Sequence, residues 1–200
     1  MDKLTTPTFR VSFPNVFEPK VYGNGKPKFS ITMLVPKSEN IDNIKSAMRA
    51  AVEEKWPDAN KRPKKLHNPI KDGDTDMMED GTLRKDKYPE MAGHWVFTAS
   101  SVSRPGVVDR NVQPILDAEE FYPGCYARAT VHVYAYAPSK NNPQSKYGVA
   151  IGLNNIQKVK DGEAFSGRSK PQDDFSALGE DSDFANDPQA AKPAGDGMFD

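Results

Sequence analysis

The 200-residue chain has a single cysteine, Cys125. One thiol excludes an internal disulfide and any zinc site built on several cysteines. Histidine is almost as scarce: His67, His94 and His132 stand far apart in unlike local contexts. No Ser-His-Asp or Cys-His arrangement suggests itself around them, so no catalytic residue is assigned. Long apolar runs are also missing, and none approaches the roughly 20 residues of a transmembrane helix, so no membrane partner is expected. The opening MDKLTTPTF lacks the apolar stretch of a secretory signal, which points to the cytoplasm. GNGKPK (23–28) does not have the spacing of a phosphate-cradling loop.

What the chain does have centres on Cys125 to Ala137, CYARATVHVYAYA. Every second residue is small or apolar, and Tyr126, Arg128, Thr130, His132, Tyr134 and Tyr136 stand between them. Period two predicts a strand whose alternate side chains face opposite ways. The small set suits the inside of a curved sheet. The other set can serve as a stacking platform for unpaired bases, or simply as the outer face of an amphipathic strand, because tyrosine favours strands whatever it binds.

Elsewhere the pattern predicts strands over 8–13 (stopped by Pro14), 28–35, 94–101 and 147–156. Phe9, Val11 and Phe13 share one face of the first. In the last, Val149, Ile151 and Leu153 point inward, and Gly148, Ala150 and Gly152 point outward, leaving room for something flat. A helix follows Ser38, its expected N-cap, with Ile41, Ile44, Met48, Ala51 and Val52 at helical spacing and Pro57 beyond its end. Residues 59–93 form a loop-rich insertion.

Within that insertion, DGDTDMMED (72–80) places Asp72, Asp74 and Asp76 like the start of a calcium loop. Met77 occupies the place of the turn glycine and Leu83 that of the bidentate glutamate, so the stretch reads as a solvated acidic turn. No metal and no cofactor are expected.

Charge divides the chain. Residues 171–200 hold eight of the 28 acidic residues and one of the 27 basic ones, leaving a body of about +6 and a tail of −7. The tail is rich in Gly, Pro, Ser, Ala and Asp and has no hydrophobic period, so disorder is expected over 166–200. Its acidic and aromatic residues (Asp181, Asp183, Phe184, Asp196, Phe199, Asp200) read as an interaction element. A basic body with tyrosines on a strand points to nucleic acid.

The blocks PIKDGD (69–74), AGHWVFTASS (92–101), RPGVVD (104–109), FYPGCYARA (121–129), GVAIGLNNIQ (148–157) and DGEAFSGR (161–168) stand in one order. In this they resemble a family of phage single-stranded DNA-binding proteins, over nearly all of residues 7–175. The resemblance implies a mainly β, five-stranded OB-like barrel over residues 1–165, with one packed helix, followed by the acidic tail. It also implies non-enzymatic binding of single-stranded DNA in phage replication or recombination, inside the infected bacterial host cell. Weaker binding of double-stranded DNA and recruitment of replication or recombination proteins through the tail accompany that reading. Strand annealing, or a metal-dependent nuclease using Asp72–Asp80, are the alternatives. One departure from the usual OB order is that the helix falls between the second and third strands. The residues expected at DNA are Tyr126, Arg128, His132, Tyr134, Tyr136, Arg10, Lys26, Lys28, Lys64, Lys65 and Arg104.

Overall fold

Five long strands with period-two cores close on themselves. A computed structural model describes residues 3–21, 25–138 and 146–165. Its strands are β1 (Leu4–Thr5), β2 (Phe9–Lys20), β3 (Lys28–Pro36), β4 (Lys71–Asp72), β5 (His94–Ser101), β6 (Gly106–Val108), β7 (Tyr126–Tyr136) and β8 (Gly148–Lys160). The helices are α1 (Asp42–Lys55) and the single turn α2 (Arg84–Lys87). The ring runs β7–β2–β3–β5–β8 and back to β7, antiparallel throughout except for the parallel β5–β8 seam. It is uneven. β7 and β8 pair from Tyr126↔Lys160 to Tyr136↔Gly148, whereas β5 meets β8 only at Ala99↔Ile151 and Ser100↔Gly152. The five expected strands are the five of the ring. The three extra strands are two or three residues long and lean on its edges, too short to show a period.

The inside is the small-residue set. Cys125, Ala127, Ala129 and Val131 are buried with Phe9, Val11, Ile31, Met33, Phe97 and Ile151 in one core. Burial pushes the Cys125 thiol up to about 11, so it stays a protonated, inert core group. α1 lays Ala51 against Val133 and Val149, and Ile44 enters the main core. It therefore closes one end of the ring.

Two local expectations are corrected. β2 does not stop at Pro14 but runs on to Lys20. Phe13 takes φ 45°, and the register with β3 shifts between Ser12 and Asn15. Proline fits there because a bulge needs no ladder N–H at that point. The bulge also turns Phe13 away from Phe9 and Val11, leaving it 45% exposed. The helix is not capped by Ser38. A turn (Glu39 N–H to Pro36 O, 2.9 Å) comes first, and α1 starts after Ile41, where Asn40 Oδ1 accepts the Asp42 N–H at 2.7 Å.

The insertion is held to the ring by its acidic turn. Lys37 Nζ lies 2.5 Å from Asp72 Oδ1 and 2.6 Å from Asp74 Oδ2. Asp74 Oδ1 also accepts the Gly93 N–H, and Asp76 pairs with Arg84 at 2.6 Å. Gly73 is required by its close packing, since a Cβ there would meet the Met91 carbonyl oxygen at 1.9 Å. Among the described residues no helix is long and apolar enough to cross a membrane. The expected tail, 166–200, with Asp181, Asp183, Phe184, Asp196, Phe199 and Asp200, lies outside the described residues.

Candidate nucleic-acid interface

The outward faces of β3, β5 and β8 carry small polar or small apolar side chains: Ser30, Thr32, Thr98, Ser100 and Ala150. They form the floor of an open groove of about 740 Å³. Thr32 and Thr98 face each other in register, their hydroxyls 2.9 Å apart. Lys26 comes from the β2–β3 connection and Lys28 from the start of β3, while His67, Lys71, Asp76, Arg84 and Met91 come from the insertion. Phe13 and Tyr136 supply rings at the rim. The lining therefore holds four cations, Lys26, Lys28, Lys71 and Arg84, against one carboxylate, Asp76. Of the cations only Arg84 is ion-paired among the described residues. Phe13 is braced edge-to-face on Tyr88, with centroids 5.4 Å apart.

The outer face of β7 is built as its alternation predicts, but its rings are not laid open side by side. His132 sits over Gly152, where a Cβ would come within 2.2 Å of the imidazole, and the Tyr136 hydroxyl sits over Gly148 in the same way at 2.6 Å. Tyr134 stands opposite Ala150 and stacks with His132 at 5.8 Å. Gly148 and Gly152 thus receive the protein's own rings from β7, which corrects the expectation that they leave room for a ligand, whereas Ala150 stays on the groove floor. Burial, and next the neighbouring Tyr134, raise the pKa of the Tyr136 phenol, so it is neutral at ordinary pH. Burial, and then Lys71 and Lys146, lower that of His67.

The residues expected at DNA fall into three places. Lys26, Lys28 and Tyr136 line the groove together, with Tyr134 and His132 continuing the row behind Tyr136. Arg10 and Tyr126 lie at the far end of β7. There Arg10 donates to Gly124 O (3.2 Å) and Glu163 O (2.6 Å), with its guanidinium over the Tyr126 and Phe165 rings. That makes Arg10 the tie for the segment following β8. Arg128 donates to Gln157 Oε1 at 2.8 Å, and Arg104 rests over Phe17, both outside the groove lining. Lys64 and Lys65 are exposed just before His67, which bridges to Gly148.

Phe13, Lys71, Arg84 and the Thr32–Thr98 pair are groove residues that the sequence pattern does not single out. For Phe13 the available signal is Pro14, since a proline inside a strand marks a bulge. Lys71 and Arg84 carry none, because only the folding of the insertion brings them to the sheet.

Asp72, Asp74, Asp76 and Asp80 of the acidic turn are committed to other partners. Hydrogen bonds from Lys37 hold Asp72 and Asp74 below the usual carboxylate range, and Thr82 does the same for Asp80.

Four known relatives bear on this arrangement. A family model described as Enterobacter phage Enc34, ssDNA-binding protein matches residues 2–185. Protein p50 of Acyrthosiphon pisum secondary endosymbiont phage 1 is 36% identical over 170 residues, covering 82% of this chain and 87% of its own length. The single-stranded DNA-binding protein from bacteriophage Enc34, solved in complex with ssDNA, superposes with a TM-score of 0.63 at 27% identity, covering 82% of this chain and 89% of that one. The single-stranded DNA binding protein gp2.5 of bacteriophage T7 shares the fold, with a TM-score of 0.54 at 13% identity over 92% of this chain and 98% of that one.

Proposed function

Because the chain belongs to the family of the Enterobacter phage Enc34 single-stranded DNA-binding protein, we propose that it binds single-stranded DNA in phage replication and holds it in the groove between the β3–β5–β8 face and the insertion. One observation carries the placement: four cations and two rings converge on a floor of hydroxyl and methyl groups. Cations on the rim meet phosphates, and Phe13 and Tyr136 offer faces to bases. A floor without a directed donor and acceptor array reads no sequence, so binding is sequence-tolerant. The role is binding rather than catalysis, in keeping with Asp72, Asp74, Asp76 and Asp80 being held by Lys37, Arg84 and Thr82.

The tail completes this proposal. A segment of −7 tethered to a body of +6 reaches an effective concentration on the order of millimolar at the basic surface. It competes weakly with DNA and, once displaced, recruits replication or recombination proteins in the cytoplasm of the infected cell. Truncation at Pro171 should tighten single-strand binding at low salt, with the gain shrinking as salt screens the attraction. Unchanged affinity would reduce the tail to a solubilising appendage.

The test of the binding reading is a titration of fluorescent single- and double-stranded oligonucleotides of equal length, without added metal, at several salt concentrations. Single strands should bind more tightly throughout, and the gap should widen with salt, because stacking is not screened while phosphate contacts are. Equal affinity for both forms at every salt concentration would remove the stacking contribution and with it this reading.

A further inference from the structure

A second cleft opens beside the groove, between α1 and residues 62–70 of the insertion, with Trp95 of β5 at its side. It holds about 450 Å³, toward the lower end of the roughly 300–1,000 Å³ of small-molecule sites. Met48, Val52, Leu66 and Ile70 make its apolar floor and Trp95 one wall. Its rim carries Lys45, Arg49 and Arg62 against Glu53 alone. The cleft and the groove are neighbours, with His67 and Val149 lining both.

The ridge between them has rings of its own. The His67 N–H donates to Tyr147 O at 2.8 Å, and Tyr147, 41% exposed, meets Trp56 edge-to-face at 5.9 Å. Lys64 and Lys65, both exposed, directly precede Leu66 and His67 in the chain.

We propose that a bound single strand leaves the groove over His67 and seats a further nucleotide in this second cleft, its base on the Met48–Ile70 floor and its phosphates against Lys45 and Arg49. The proposal rests on the groove being the single-strand site. Two features favour DNA over an acidic peptide: the wall at His67 and Val149 that the cleft shares with the groove, and the Tyr147–Trp56 pair bonded to that wall. A peptide docking on the cleft alone needs neither.

The experiment is fluorescence anisotropy of the full chain with an oligothymidine series of increasing length. The parent is compared with Lys45→Glu/Arg49→Glu and, as a milder variant, Lys45→Ala/Arg49→Ala. Both positions are on the surface of α1, and circular dichroism checks that the helix is kept. The parent should show a step of about tenfold in affinity when the oligonucleotide becomes long enough to pass His67. Both variants should lose that step and bind short oligonucleotides as the parent does. The salt slope on long oligonucleotides should fall by about 0.7 for each phosphate that the variant no longer neutralises.

A 5-iodouracil at the far end of a long oligonucleotide should photo-crosslink to the α1 peptide or to Trp95. A step that survives in both folded variants overturns the extension, as does equal weakening of short and long oligonucleotides. Loss of acidic-peptide binding with the DNA step intact also overturns it and assigns the cleft to a protein partner. Failure of the parent to bind even short oligonucleotides would instead bring down the groove itself.

Discussion

Tyr136 is a β7 residue that reaches the groove over Gly148. Stacking of a base on one aromatic is worth about 1–3 kcal/mol. Tyr136→Ala and Phe13→Ala should therefore each weaken single-strand binding by roughly tenfold to a hundredfold, with a smaller effect on duplex, as read by anisotropy. Tyr126→Ala should do little, since that ring is engaged by Arg10 and Lys160 (4.5 Å) away from the groove. The opposite ranking would move the site to the far end of β7. Lys37 gives a pH signature at the same scale. Hydrogen bonds to Asp72 and Asp74 raise its pKa and lower theirs. The carboxylates' contribution is present above the ordinary aspartate value and lost as pH falls through their depressed folded values. The lysine's contribution is full below its ordinary value and lost as pH rises through the raised one. Proteolytic resistance of residues 70–92 should hold between these limits and fall on the acid side. Lys37→Met should shrink that acid transition to the part held by Asp80 and by backbone N–H bonds, and an unchanged acid profile in the variant would refute the clamp.

Among the elements, the insertion contributes most that the sequence does not disclose. Its residues have almost no period, and its backbone is organised by ion pairs and side-chain-to-backbone bonds such as Asp80 to Thr82 at 2.9 Å. Such interactions leave no repeating trace in a sequence. The β strands are legible because each buries an alternating set against one core, and α1 because Ile44, Met48 and Ala51 recur on one face. Alternation puts Phe13 on the wrong face for a definite reason: one residue of bulge reverses which face a side chain takes. The insertion's role as a groove wall is open to a direct check. In Gly73→Ala the new methyl meets backbone at 1.9 Å, so the insertion must shift while the ring keeps its core. The variant should keep the β-sheet circular dichroism of the parent and lose several-fold in DNA affinity through misplaced Lys71 and Arg84. Wild-type affinity in a folded variant would show that the wall is dispensable.

At the level of the whole molecule, the charge division is visible in the composition, and so is the class of ligand. The groove-lining residues are only partly visible. Lys26, Lys28 and Tyr136 are legible in the sequence and lie in the groove, but Arg10, whose charge suggests the same role, serves as a tether to Glu163. Net charge says that a chain meets phosphates, not which of its cations are already engaged by carbonyls. Hence the measurement that bears most directly on the groove is the salt dependence of single-strand affinity in Lys26→Ala/Lys28→Ala/Lys71→Ala, set beside Arg104→Ala/Arg128→Ala. About 0.7 counterions are released per neutralised phosphate on single strands. The triple variant should flatten the slope of log affinity against log salt by about two and weaken binding at low salt, while the double variant follows the parent. A parental slope in the triple variant, with the flattening appearing in the double variant instead, would contradict the placement of DNA in this groove.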